Sequence, residues 1–115
     1  MLQLNEVQWR ALLQAETNQF NAAVCDEFLL ERPDLRDHPG RDAVLAGMRD
    51  AHSYAARVGF TSTPHIVRLM YLAADAPGIY DEPLVNGYLR KPGASPERRL
   101  DELDAIMRNK LQGTN

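Results

Sequence analysis

The chain has 115 residues, a net charge of −3 at neutral pH and a pI of about 5.5. That length fits a single domain, expected here over residues 1–115, because two halves would each be too small to hold a core. An apolar fraction of 44% with 25% charged residues excludes a disordered chain, and the mild acidity excludes a nucleic-acid binder that works through a basic stripe.

In chain order, Asn5 with Gln8 three residues on reads as a helix N-cap and its capping-box partner. Apolar residues then recur at Trp9, Leu12, Leu13, Phe20, Ala23, Val24 and Leu30, all within about 60° of Trp9 at ~100° per residue. Pro33 ends this helix, which is predicted over about 5–31 and is roughly 38 Å long. Glu16 and Glu27 project from the same stripe, either where it leaves the core or paired with an arginine or histidine. Residues 1–40 hold seven acids against three arginines, a balance of −4 that leaves +1 for the remainder. The acidity therefore belongs to the N-terminal helix.

"ERPDLRDHPGRD" is a connector dense in turn formers. The helical core is expected over about 41–112. Its first helix, about 41–58, puts Val44, Met48, Ala51, Ala55 and Val58 on one face, with Gly59 as the left-handed C-terminal stop. Ser62 or Thr63 caps the next helix and Pro64 suits its first turn. Within it Ile66, Leu69, Met70 and Ala73 form a stripe, Val67 and Ala74 widen it, and Tyr71 and Leu72 lie towards the back. A helix this apolar is expected at the buried centre of a bundle, or facing a partner. A short helix from Pro83 carries Leu84, Val85, Tyr88 and Leu89. A last helix, capped by Ser95 with Pro96 at its first position, has Leu100, Leu103, Met107 and Leu111 on its core face. There are no strand-like alternations or repeats, so the fold class is all-α: a compact bundle of about five helices, with a long N-terminal helix and a buried central one.

The candidate chemistry is sparse. Cys25 is the only cysteine, which argues against a disulfide framework or a cysteine-rich metal site. His38, His52 and His65 have no local signature linking them to it as a nucleophile pair, and His52 and His65 stand on different helices without metal-ligand spacing. Asp101, Glu102 and Asp104 favour the dipole at a helix start. No catalytic, cofactor-binding or metal-binding residue is assigned, and no enzymatic activity or cofactor is expected. Arg90, Lys91, Arg98 and Arg99 form a solvated basic face or a docking patch for an acidic partner. The candidate partner-binding residues are Trp9, Leu13, Glu16 and Phe20 on the first helix, as helix-in-groove anchors, and Tyr80 and Tyr88 as aromatic anchors. The N-terminus lacks a signal-peptide pattern and no run reaches the ~18 apolar residues of a membrane span, so a cytoplasmic location without membrane contact is expected.

The helix ending in "FLLERPDL", the "ARVGFTSTPHIVRLMYLA" helix–turn–helix, "APGIYDEPLVNGYL" and the "SPERRLDELDAIMR" tail carry a resemblance. Their order resembles a family of small all-helical accessory proteins from bacterial type VI secretion gene clusters, near VgrG spike and effector genes. The resemblance covers almost the whole chain. It departs at His65, where the family often has an acid, and in "LVNGYL", where it often has tryptophan. It implies a non-enzymatic, co-chaperone-like protein that binds an effector adaptor or the effector itself before delivery. Three other readings stand beside it: an immunity protein that neutralises a cognate toxin, a small hydrolase or transferase using His52 or His65, and a homodimeric scaffold formed through the first helix.

Overall fold

A computed structural model describes residues 5–112, apart from the side chains of Trp9, Arg10, Leu12, Leu13, Lys110, Leu111 and Gln112. Trp9 and Leu13, two of the expected partner anchors, and Leu111 of the last core stripe therefore lie outside the described residues. The fold is all-α, with no strand among the described residues: α1 (Glu6–Glu31), α2 (Pro33–Leu35), α3 (Arg41–Val58), α4 (Thr63–Asp75), α5 (Pro83–Leu89) and α6 (Pro96–Gln112). The five long helices are those expected, and α2 is a single extra turn after Pro33.

The centre of the bundle is the α3–α4 hairpin. Val44, Met48, Ala51, Tyr54 and Ala55 of α3 are buried with Leu69, Met70 and Ala73 of α4. Three of these are alanines, so the two backbones can approach closely. The turn between them depends on Gly59, whose φ of 106° is left-handed and costs a residue with a Cβ strain. The N–H groups of Gly59 and Phe60 both donate to the Ala55 carbonyl (3.0 and 2.9 Å), which closes α3, and Phe60 buries itself under the turn. On α4 only one stripe is fully buried. Ile66, Val67, Tyr71, Leu72 and Ala74 pack half-buried on its flanks, so the helix is central without being enclosed on all sides.

α1 opens with the expected capping box: Gln8 N–H donates to Asn5 Oδ1 and Asn5 N–H to Gln8 Oε1, each at 2.9 Å. Among the described side chains, its buried face shares only Val24 with the expected stripe, and Phe20 of that stripe is half-buried. Asn21, Val24, Cys25, Phe28 and Leu29 pack into the bundle, at helical spacing. In helical register this face is turned roughly 130° from the Trp9 stripe. Ala23 and Leu30 of that stripe are exposed, Leu30 at 69%. The C-terminal half of α1 is held by Phe28 edge-on to Tyr71 (4.9 Å), by Arg41 Nε to Asp26 Oδ1 (2.7 Å), and by Arg32 bridging to Asp34 and Asp75. Between Asn5 and Gln19, only Thr17 among the described side chains is even partly withdrawn from solvent. The Cα radius of gyration is 16.2 Å, against about 13 Å for a compact chain of this length.

Among the described side chains, α5 and α6 each bury one residue fully, and Val85, Tyr88, Leu103 and Met107 are half-buried. Leu89 is the buried residue of α5, whereas Leu84 is 89% exposed; Leu100 anchors α6, with Leu103 half-buried beside it. Replacing Leu69 by alanine should therefore cost about 2–5 kcal/mol. Leu84→Ala should stay within about 0.5 kcal/mol of wild type. Urea unfolding midpoints for the two variants check the difference.

Candidate functional site

Two regions of the surface are built from chemistry that the core does not need. The first is the outward side of α1. Glu16, Ala23, Glu27, Leu30 and Glu31 share one face in helical register and all are exposed, while Phe20 sits half-buried at its edge. The face alternates acid and apolar groups over about four turns. Where α1 leaves the bundle it meets α3 and α4 across two grooves, of about 320 and 270 Å³, which share Thr17 and His52. The larger is polar, with Asn18, Arg49 and Asp50 on its walls; the smaller adds Glu16, Phe20 and Ile66.

His52 sits between these grooves and is explained by packing. Its Nδ1 is 2.7 Å from Asn21 Oδ1, and the Phe20 ring lies 5.3 Å away. An amide oxygen only accepts, so Nδ1 carries the proton. Burial pushes the ring's pKa down, which keeps it neutral. Asn21, only 2% exposed, is thus the partner that lets a histidine stand at the α1–α3 seam. Cys25 is equally structural. Its thiol is fully buried with the Arg41 carbonyl as acceptor, and burial raises its pKa against a smaller opposing effect of Arg41, so it is no thiolate.

Of the expected aromatic anchors, Tyr80 is buried against Tyr54, ring centroids 4.7 Å apart, with 8% of its surface exposed. Tyr88 is half-buried beneath two cations, Lys91 and Arg99, at 5.8 and 5.7 Å from its ring. The basic cluster is partly internal. Arg99 donates to the carbonyls of Lys91 and Pro92 and to Glu102, and Arg90 donates to Asn86 Oδ1, which also accepts from the Tyr54 hydroxyl at 2.6 Å. Arg98 and Lys91 remain exposed.

The second region, which the sequence did not reveal, lies where α6 crosses the start of α4. Glu97, Asp101 and Asp104 occupy one face of α6 at i, i+4 and i+7. Glu97 Oε2 accepts from the N–H groups of Thr61 (2.7 Å) and Ser62 (2.8 Å), acting as a cap for α4 supplied from another helix. Ser62 is the N-cap residue, yet its side chain caps nothing. Its Oγ lies 2.7 Å from His65 Nδ1, and His65 Nε2 lies 3.1 and 3.2 Å from the two oxygens of Asp101. Arg68 Nη1 holds Asp101 at 2.6 Å and Asp104 at 3.2 Å. The Arg68 hydrogen bond, and after it His65, keeps the Asp101 carboxyl below its ordinary pKa. For Glu97, partial burial works upward, but the hydrogen bonds from Thr61 and Ser62 outweigh it and the net shift is down. Ser62 and His65 are local partners at i and i+3 on a helix start, a signal present in the sequence. Asp101 is 36 residues further on and needed the fold to reach them.

No group of side chains among the described residues has the makings of a metal site, and no helix among them is long and apolar enough to cross a membrane. Comparison with protein-family models, with curated proteins and with solved structures finds no match to this chain.

A depressed carboxylate pKa contributes stability at neutral pH that is lost as pH falls through the folded value, below the ordinary 4.5 of Glu97. Glu97→Gln should thus destabilise the fold by about 1 kcal/mol at pH 7. It should also flatten the acid limb of the stability curve below that pH. Thermal unfolding from pH 7 to pH 3 measures both.

Proposed function

We propose that the chain is a protein-binding accessory protein that presents α1 to a larger partner. The reading rests on the outward face of α1. A helix of ~12–15 residues without tertiary support is marginal in water, and most helical stability in proteins comes from a packed face. The first turns of α1 are given little such support by their own bundle among the described side chains. A partner groove laid along the exposed face that runs from Glu16 through Ala23 and Glu27 to Leu30 would extend the packed length of α1 back toward those turns, in the manner of a helix laid into a groove. Exposed Glu16, Glu27 and Glu31 call for a basic rim on that partner.

The resemblance of the helix order to accessory proteins of type VI secretion clusters supplies the context. In it, the partner is an effector adaptor or chaperone, or the effector itself, held before delivery. The acidic face equally suits a basic toxin, which is the immunity reading.

The test is co-purification of the tagged chain with the products of its neighbouring genes. Wild type should retain an adaptor or effector at near-stoichiometric level, and Ala23→Glu with Leu30→Glu should weaken it at least tenfold, equivalent to about 1.4 kcal/mol, with unchanged circular dichroism. Retention by the double variant, or no partner at all, overturns the use of α1. Survival of cells that co-express the chain with the toxin, without an adaptor, moves the assignment to immunity.

A further inference from the structure

We propose that Ser62 is a nucleophilic serine, activated by His65 and Asp101, that accepts an acyl group from small ester substrates. The proposal is independent of α1 and of any partner it binds. Its basis is the hydrogen-bond chain across the α4–α6 junction. A carboxylate can only accept, so the contacts of 3.1 and 3.2 Å from His65 Nε2 to Asp101 place the imidazole proton on Nε2. In the neutral ring Nδ1 is then the acceptor, and the Ser62 hydroxyl 2.7 Å away donates to it. Nucleophile, base and orienting carboxylate thus stand in sequence, with the two ring nitrogens exchanged relative to the familiar serine-protease arrangement. Such a constellation is recognised by geometry and roles rather than by the order of its residues in a chain. Arg68 Nη1 donates at 2.6 Å to Asp101 Oδ1, one of the two oxygens that His65 contacts, and so helps to hold the carboxylate in place.

The step balances. As Ser62 Oγ bonds to the ester carbonyl carbon, its proton passes to His65 Nδ1, and the imidazolium is stabilised through Nε2–H by Asp101. The alkoxide leaving group departs with the proton from Nδ1, which leaves an acyl-serine. Water then attacks, giving up its proton to Nδ1, and the acid is released as Ser62 regains a proton. The N–H groups of Thr63 and His65, in the first turn of α4, have no acceptor among the described residues and point from the end of the helix that favours negative charge. The 270 Å³ groove that includes Thr63 and Ile66 adjoins this turn and would take a short acyl chain. Glu97 puts a negative charge on the same helix end, so stabilisation of the tetrahedral oxyanion is weak. Acylation is therefore expected to be detectable and turnover slow.

The chain has three serines, Ser53, Ser62 and Ser95, which provides an internal control. Ser95 also caps a helix, accepting from Arg98 N–H at 3.1 Å, but no histidine faces it among the described residues. The full chain is incubated with a fluorophosphonate probe and, separately, with p-nitrophenyl butyrate, and the adducts are mapped by peptide mass spectrometry. Ser62 should be modified at least tenfold faster than Ser53 or Ser95. Ser62→Ala should abolish the adduct, and His65→Gln and Asp101→Asn should slow it in that order. Equal labelling of Ser62 and Ser95 in the wild-type chain, or none, overturns the proposal, and that comparison does not depend on whether any variant folds. Undiminished labelling of a folded His65→Gln variant overturns it as well.

Discussion

The structure depends on the turn at Gly59. Left-handed geometry there lets α3 stop and α4 return directly against it, so that Met48, Ala51 and Ala55 meet Leu69, Met70 and Ala73 with little between the backbones. Three other helices add buried residues to this hairpin's core. α1 lays Val24, Cys25, Phe28 and Leu29 on it, α5 adds Leu89, and α6 adds Leu100. Around these apolar anchors the periphery is fastened by polar contacts as well. Arg41 with Asp26, Arg32 with Asp75, and the Glu97–Asp101–Asp104 face with α4 are all of this kind. Exposed ion pairs contribute little each, so the outer helices are held less firmly than the hairpin.

That gradient of attachment bears on function. Among the described side chains, the fully buried part of α1 begins at Asn21, with Phe20 half-buried against the core just before it. Ala23, Glu27, Leu30 and Glu31 are exposed along that same part of the helix, on the face turned away from the bundle.

Much of the architecture was legible from the residues. The Asn5–Gln8 capping box, Gly59 as a helix stop, Ser95 as a cap and the Leu69–Met70–Ala73 stripe all stand where their local chemistry places them. The rotation of α1 was not legible, for two physical reasons. The phase read from Trp9, Leu12 and Leu13 does not carry over to residues 21–29, where the described buried face lies. Further along, "FLL" at Phe28 to Leu30 is apolar on more than one face, so periodicity cannot choose between Leu29 and Leu30. The buried face is completed by Asn21 and Cys25, and Asn21 belongs there only because His52 on α3 supplies its partner. Tyr80 was ambiguous in the same way: a loop tyrosine is an interface anchor or a core residue according to whether another ring, here Tyr54, waits beneath it.

The α4–α6 junction shows how one substitution of role creates another. An N-cap serine ordinarily spends its hydroxyl on a first-turn N–H of its own helix. Here Glu97 brings a carboxylate from α6 to the N–H groups of Thr61 and Ser62, and the serine hydroxyl does no capping. It turns instead to His65, one turn along, whose far nitrogen is already engaged by Asp101. Glu97 and Asp101 are four residues apart and so face α4 together. The docking of a single acidic helix face thus both relieves Ser62 of its structural task and completes the array around it. The same contact that fixes the C-terminal helix determines which way the Ser62 hydroxyl points.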